Sequence, residues 1–396
     1  MEVITGTARV DQLNQAQLVI DMEPNAHKLY QDAYAFEALT RNVRGGMGKA
    51  TRMQHLYRED RLMPNTTVTT AAAAAAATSI AVSVANIGFR DMNIYCPATG
   101  EMFSMDEDIG GTAVAGAIKV RGLASATGTG ITTAIPAGSV LVFVTEAHAE
   151  GEAVPPAFIT KETDAYTYLM QFDEVIEFTD IFKAEKKYGE DEINKQRAKK
   201  WIEVKKKLNL YLYAGQQVRE VASAGGARRH SLRGLISYLA SRDIDASAIP
   251  GGLTRATLGL FLRPTTQYGV GMDNKVLMAG QNAWAAISSY PDSALRTPPG
   301  DGIKWGVTVK QLITAFGTLD CVYDQMLSQE YGLADRLFIV DPNRIKQLEM
   351  EGLPLVIKTG IQNPTEIHIE TRDVITGTRG LEVPLAEVHQ SVSGIN

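Results

Sequence analysis

Between Tyr188 and Ala214 the apolar residues Ile193, Trp201, Val204, Leu208 and Tyr211 recur at steps of eight, three, four and three. Those steps put them on one face of an α-helix. Lys195, Arg197, Lys199, Lys200, Glu203, Lys205, Lys206 and Lys207 occupy the other faces. Glu190, Asp191 and Glu192 open the segment where the helix dipole is positive, and Gly215 follows where a helix closes. The pattern predicts one helix over 188–214, a rod of roughly 37 Å. That is long against a mean of about three turns.

Before this helix the period changes. Thr163 to Asp173 alternates, with Tyr166, Tyr168, Met170 and Phe172 on one side, and reads as a half-buried strand. It is expected to run antiparallel to 49–58, a strand without a dedicated core face. Between the two, from Pro64-Asn65 to Pro155-Pro156, residues 65–150 are rich in Thr, Ala, Val and Gly and poor in charge. Ile94 to Cys96, Ala117 to Val120 and Ser139 to Val144 read as short strands. The alanine run 71–77, flanked by Thr and alternating Val, reads as a small-residue connection between strands. A small β-barrel or sandwich inserted into the chain is predicted there.

Residues 1–36 are polar and irregular, an extended arm with one short helix expected from Ala26 to Leu39. Beyond the long helix, Leu232 to Leu239 starts a new packed segment. Helices are predicted over Leu253–Leu262 and Gln281–Tyr290. Strands are predicted over Lys275–Ala279, Trp305–Phe316, Leu319–Tyr323, Leu337–Val340, Leu353–Lys358, Glu366–Thr371 and Gly380–Val383. Helices and strands mix without regular βαβ alternation, so the fold class is α+β.

Composition adds limits. A chain of 396 residues with 45% hydrophobic residues buries a substantial core in two or three domains. There is no apolar run of about 18 residues, so no membrane contact is expected. The N-terminus lacks the basic-then-apolar pattern of a secretory signal. A net charge of −6 argues against broad nucleic-acid binding, though not against contact through one basic face. Cys96 and Cys321 are too few for a metal site and are expected as buried or half-buried thiols in a reducing compartment.

Catalytic motifs fail one by one. Gly48-Lys49 is followed by Ala50 and has Val43 five places before it, so it makes no phosphate-binding loop. Gly128-Thr129-Gly130 lacks dinucleotide spacing, and Met105-Asp106-Glu107-Asp108 lacks the calcium-loop pattern. His27, His55, His148, His230, His368 and His389 form no ligand pair, and no Gly-x-Ser-x-Gly elbow is present. Asp173, Glu174 and Glu177 suggest a pair for acid/base work, but on strand positions they read as a solvated or interfacial edge. No catalytic residue, cofactor site or metal site is expected.

The order of parts is unusual: arm, long loop carrying a β module, long helix, mixed α+β half. Phe172-Asp173-Glu174-Val175-Ile176-Glu177-Phe178-Thr179 and Tyr188-Gly189-Glu190-Asp191-Glu192 with Arg197-Ala198-Lys199-Lys200 carry a family likeness. So do Gly234-Leu235-Ile236-Ser237-Tyr238, Thr314-Ala315-Phe316-Gly317-Thr318-Leu319, and Ala334-Asp335-Arg336-Leu337-Phe338-Ile339-Val340-Asp341-Pro342. From about residue 20 to the C-terminus the chain resembles the major capsid proteins of tailed double-stranded-DNA phages with the Hong Kong 97 fold. Its local sequence resembles one branch of that family, in which a β module sits within the extended loop.

The resemblance implies an N-terminal arm over 1–40, an extended loop over 41–64 and 155–187, and an inserted β domain over 65–154. It further implies a peripheral domain over 188–250 and 303–335 with spine helix 189–214, and an axial domain over 251–302 and 336–396. The spine core face would be Ile193, Trp201, Val204, Leu208 and Tyr211. Arg52, His55, Tyr57, Tyr166, Tyr168 and Phe172 would make inter-subunit contacts of the extended loop. Lys199, Lys200 and Lys206 would face packaged DNA, so reversing their charge should cost genome retention and leave empty shells. The implied function is self-assembly as hexamers and pentamers into an icosahedral virion shell, in the host cytoplasm. Separate scaffolding, portal and decoration proteins would be partners, with no long scaffold within this chain and no Lys–Asn cross-link through Lys49 or Lys161. Rival readings are an encapsulin-like bacterial compartment, an enzyme with a β-module appendage, and an adhesive carbohydrate binder built on 65–150.

Overall fold

A helix crowded with lysines is held by the half of its surface that meets the core. In the computed structural model the long helix runs from Glu192 to Ala214, and Glu192 supplies the acid in its first turn. The structure describes residues 34–42, 47–84, 87–106, 116–123, 130–146, 160–185, 192–220, 229–267, 275–290, 295–296, 303–304, 307–308, 310–361 and 369–396. Its α-helices are α1 (Ala35–Asn42), α2 (Asp180–Ala184), α3 (Glu192–Ala214), α4 (Leu235–Tyr238), α5 (Arg255–Thr266) and α6 (Gln281–Ser288). The expected start of α3 at Tyr188 lies outside the described residues.

The buried residues of α3 are Val204, Leu208, Asn209, Leu212 and Tyr213. Val204 and Leu208 lie on the expected face; Ile193, Trp201 and Tyr211 are only half-buried. At 100° per residue the buried arc covers about half the circumference, and Ile193 and Tyr211 fall at its edge. Trp201 falls within the arc but in the N-terminal half, where no described residue is fully buried. The expected face therefore needs correction: Leu212 and Tyr213 carry the burial assigned to Trp201 and Tyr211.

The helix ends on two glycines. Gly215 N–H donates to the Tyr211 carbonyl at 2.8 Å, and Gly234 N–H to the Gly215 carbonyl at 2.8 Å. A Cβ on Gly234 would stand 2.5 Å from the Gly215 nitrogen. Backbone thus lies directly on backbone where α4 packs beside α3. Gly234→Ala is expected to destabilise the chain by about 1–3 kcal/mol through overpacking, read as a lower urea midpoint at unchanged slope.

The chain divides into two compact units, Met1–Tyr57 with Asp164–Asn396, and Arg58–Thr163. The first holds a five-stranded sheet ordered Gly48–Ala50, Lys346–Met350, Ile369–Glu382, Met170–Thr179, with Val356–Ile361 also pairing to Ile369–Glu382. Glu366–Thr371 and Gly380–Val383 were expected as separate strands; Ile369–Glu382 is continuous. Gly377 within it is no turn, since a Cβ there would stand 2.4 Å from Leu355 Cα. The glycine permits close approach of a neighbouring segment.

The seven-stranded sheet of this unit runs Asp243–Asp245, Gln390–Ser393, Leu337–Val340, Val276–Ala279, Gly317–Tyr323, Lys310–Thr314, Leu295–Arg296. Its central strands Leu337–Val340 and Val276–Ala279 are buried at every position. The cause is a core on each face. Val276, Met278, Phe338 and Val340 join Leu208, Leu212 and Tyr213 of α3. Leu277, Ala279, Leu337 and Ile339 join Phe261 of α5 and Ile287 of α6. Lys346–Met350 and Gln390–Ser393 were not expected as strands, and of the expected Trp305–Phe316 strand Trp305 lies outside the described residues.

The expected arm over 1–40 is also corrected at its end. Tyr34, Ala35, Phe36 and Leu39 are buried in the core with α3. Gln347 Nε2 donates to Thr40 Oγ1 at 2.8 Å. From Tyr34 onward the chain is core, because Phe36 and Leu39 present an apolar face that this core covers; residues 1–33 lie outside the described residues.

In the second unit the strand order is Thr66–Val68, Val140–Glu146, Met92–Cys96, Glu101–Met105, Gly116–Gly122, Ser79–Val82. Ser83 N–H donates to the Val68 carbonyl and Thr70 N–H to the Ala81 carbonyl, both at 2.9 Å, closing the sheet into a barrel. Alternate residues, among them Ile80, Ile94, Phe103, Ile118 and Leu141, fill its interior. Ala71–Ala77 makes no helix: Ala73 bridges Ile135, and Ala76 takes φ +66°.

Candidate functional site

Two strands link the units in sequence, Gln54–Glu59 and Thr163–Tyr168, and they pair with each other. Leu169 N–H donates to the Met53 carbonyl, and Thr163 Oγ1 to the Glu59 carbonyl, so the pairing is antiparallel. Tyr57 and Arg52 belong to this segment, Arg52 exposed and Tyr57 half-buried.

The residues expected to contact a neighbour divide into two groups. His55 Nε2 lies 3.3 Å from Glu382 Oε2. Tyr168 is 9% exposed and stacks on His230, centroids 5.1 Å apart. Phe172 packs against the core. These three are engaged within their own chain. Tyr166, edge-on to Tyr168 at 5.7 Å, keeps 47% of its surface exposed. Leu56 is 62% exposed and was missed. On Gln54–Glu59 exposure alternates, with Leu56 on the open side, so a leucine stands where burial is the usual expectation.

The basic face of α3 is largely compensated. Lys200 Nζ lies 3.1 Å from Glu174 and 3.3 Å from Glu203. Lys207 pairs with Glu174 as well. These lysines, led by the Lys207 hydrogen bond, hold the Glu174 carboxyl below its usual range, and the Glu174 hydrogen bond raises Lys200. Lys206 lies 3.4 Å from Glu330 and 5.2 Å from the Tyr331 ring centroid. Toward the start of α3, Arg197 Nε donates to Asp373 Oδ2 at 2.6 Å, and Asp373 is fully buried.

The carboxylates tested for acid/base work are committed to structure. Asp173 accepts from Thr376 Oγ1 at 2.5 Å and from Gln171 Nε2 at 2.8 Å. Glu177 pairs with Arg372 at 3.1 Å. All three sit on Met170–Thr179, an edge strand of its sheet, which they fasten to α3 and to Ile369–Glu382. Cys96 and Cys321 are buried free thiols, and burial pushes Cys321 up. Among the described residues no group of three or more His, Cys, Asp or Glu is placed to hold a metal. No described helix is long and apolar enough to cross a membrane.

Two open grooves meet at the C-terminal end of α3 and share Ala214 and Gln216. Met170, Phe172, Leu210 and Tyr211 floor the first, and Tyr166, Tyr168 and Ile236 line the second. Lys207 and Arg229 edge the first, and Arg219 and Arg233 the second, and among the described residues no carboxylate lines either.

A family model for the SU10 major capsid protein matches residues 11–395. No curated protein sequence matches the chain. Among solved structures, the capsid asymmetric unit of cyanophage A-1(L) is similar at 11% identity, covering 97% of this chain and 99% of that one, with a TM-score of 0.47. The capsid of Myoviridae phage XM1 is similar at 9% identity over 96% and 98%, with a TM-score of 0.46. The SrpI encapsulin complex of Synechococcus elongatus PCC 7942 is similar at 12% identity over 60% and 77%, with a TM-score of 0.41. The family match carries the assignment that these observations allow.

Proposed function

The chain belongs to the SU10 major capsid protein family, the structural shell protein of a tailed-phage virion, and we propose that it closes that shell as hexamers and pentamers around double-stranded DNA. Its activity on this reading is assembly, by repeated heterologous contacts that bend into a closed surface, with no catalytic step. The observation that carries it is the family match over 11–395. In this reading Gln54–Glu59 with Thr163–Tyr168 is the base of the extended loop, α3 is the spine, and the seven-stranded sheet belongs to the axial domain. The barrel of Arg58–Thr163 is the module carried by the loop. Exposed Tyr166 and Leu56 then face a neighbouring subunit, which supplies the cover that one chain lacks. Assembly takes place in the host cytoplasm, with separate scaffolding, portal and decoration proteins.

The test is electron microscopy with sedimentation of the chain expressed by itself. Icosahedral shells or hexamer and pentamer rings are the expected result. A monodisperse monomer or dimer across a range of salt concentrations would overturn it.

For DNA contact the reading narrows to Lys199. Reversing Lys200 or Lys206 would also break pairs to Glu174, Glu203 and Glu330, confusing shell stability with DNA affinity. Lys199→Glu is expected to leave shell yield unchanged and to lower packaged DNA, measured by the absorbance ratio of purified particles. Normal DNA content would remove the DNA-facing role.

A further inference from the structure

The C-terminal strand Gln390–Ser393 is held at its start by one imidazole. His389 is fully buried, and its Nδ1 accepts from Asp341 N–H at 3.1 Å. That bond exists only while Nδ1 is bare, because a proton there would set N–H against N–H. Lys275 and Arg344 act on the ring with like charge. Lys275 is buried, with Nζ donating to the Thr265 carbonyl, and Arg344 pairs with Asp341 at 3.5 Å. Arg242 reaches the Glu387 carbonyl at 3.0 Å and the Pro264 carbonyl of α5 at 3.3 Å. The carboxylates of this cluster are Asp341 and, two residues before the ring, Glu387.

The turn that delivers His389 is strained. Leu385 takes φ +53° and ψ 69°, a left-handed backbone that leucine rarely adopts. A single 3-10 turn, Ala386–Val388, leads from it to the ring. Beyond the ring, Gln390–Ser393 pairs with Leu337–Val340 on one side and with Asp243–Asp245 on the other. Asp243–Asp245 is an edge of the seven-stranded sheet, so it is held to the sheet through this strand. An outer pair of strands opens at lower cost than the centre.

We propose that His389 is an acid-sensitive latch: on taking a proton it frees residues 384–396 from the sheet while the central strands stay folded. Release relieves Leu385, hydrates the imidazolium and leaves Leu337–Val340 as a bare apolar edge open to strand pairing. Val392 and Ile395, buried with Phe261, keep the latch shut at neutral pH. So do Gly394 N–H and Ile395 N–H, which donate to Asp335 Oδ2 and to its carbonyl, both at 3.1 Å. The device belongs to the fold of one chain and does not depend on the assembly reading.

Burial first, then Lys275 and Arg344, push the folded ring down to about 3, and a released ring returns to 6.5. Stability from the shut latch is therefore present above pH 6.5 and falls as pH falls toward 3. Two pH units below 6.5 the released fraction is about fiftyfold higher than at 6.5.

The test is thiol labelling of the full-length chain carrying Ser391→Cys with dithiodipyridine, which reacts with thiols in acid. Ser391 is 1% exposed and its Oγ makes no hydrogen bond among the described residues, so the substitution breaks none there. Cys321, buried on Gly317–Tyr323 three strands away in the same sheet, reports opening of the centre. Rates are divided by those of the urea-unfolded chain. The new thiol should gain about fiftyfold in rate over those two pH units while Cys321 stays protected. His389→Asn should flatten the rise without exposing Cys321. Equal gains at both thiols, no gain, or an undiminished gain in His389→Asn each overturn the latch. Where Ser391→Cys is labelled at neutral pH as fast as the unfolded chain, hydrogen exchange in the unaltered chain decides instead. Corrected for intrinsic rates, Gln390–Ser393 must then gain over Val276–Ala279 by the same factor, and parallel gains overturn the proposal.

Discussion

Tyr213→Ala is expected to destabilise the main unit by about 3–5 kcal/mol, the range for removing a large buried aromatic. Tyr213 is fully buried, with its ring stacked on Phe36 at 4.9 Å and on Phe338 at 5.6 Å. Its hydroxyl donates to Asp324 Oδ2 at 2.6 Å. The same carboxylate accepts from Phe36 N–H at 3.1 Å, and its other oxygen from Met326 N–H at 2.9 Å. One acid thereby ties α1, α3 and the segment after Gly317–Tyr323 together. Burial raises Asp324, and its three donors oppose that rise. Stability from this group is fully present below the unfolded carboxyl pKa and is lost as pH rises through the raised one. At neutral pH the donors are therefore what keeps the buried carboxylate tolerable. Tyr213→Phe, which keeps the stack and removes one donor, should cost about 1–3 kcal/mol. Urea unfolding followed by tryptophan fluorescence measures both, and an alanine variant within 1 kcal/mol of the parent, on the order of a surface change, would remove Tyr213 as the joint.

The second large effect lies in the acid limb of the stability curve. His389 is fully buried, and Asp341 N–H donates to its Nδ1 at 3.1 Å. Burial first, then the charges of Lys275 and Arg344, push it down to about 3 from an ordinary 6.5. Asp341, which pairs with Arg344 at 3.5 Å, is the acid beside it. Between these two values the unfolded chain takes up a proton that the folded one refuses. Stability from His389 is thus present above pH 6.5 and falls as pH falls toward 3, by up to about 5 kcal/mol. Lys275, pushed down to about 8, stays charged through that window and keeps the pressure on. His389→Asn retains an acceptor near Nδ1 and does not titrate. Its stability should vary less than the parent's between pH 6.5 and 3, even though its value at pH 7 is lower. Parallel curves for the two proteins would show that His389 does not set the acid limb.

The sequence by itself determined the long helix and the α+β class, and it pointed to a β module after Pro64. Each rests on a local signal: the step pattern from Ile193 to Tyr211, the loss of charge after Pro64, the strand-forming Thr and Val around Ala71–Ala77. The motif order also sufficed for the capsid family that residues 11–395 match. The tertiary structure decided which side of each element is covered. Leu212 and Tyr213 are buried because α1 and the seven-stranded sheet lie over the last turns of α3, and nothing within the helix encodes that cover. Glu366–Thr371 and Gly380–Val383 read as separate strands, yet one strand runs through Gly377, with Leu355 lying against it. Lys200 and Lys207 look like a free basic face until Glu174 arrives from a strand more than twenty residues away. The grooves at the end of α3 likewise draw on three separate stretches of chain. Periodicity reports how a segment folds upon itself, whereas burial, ion pairing and docking surfaces depend on what the rest of the chain brings beside it.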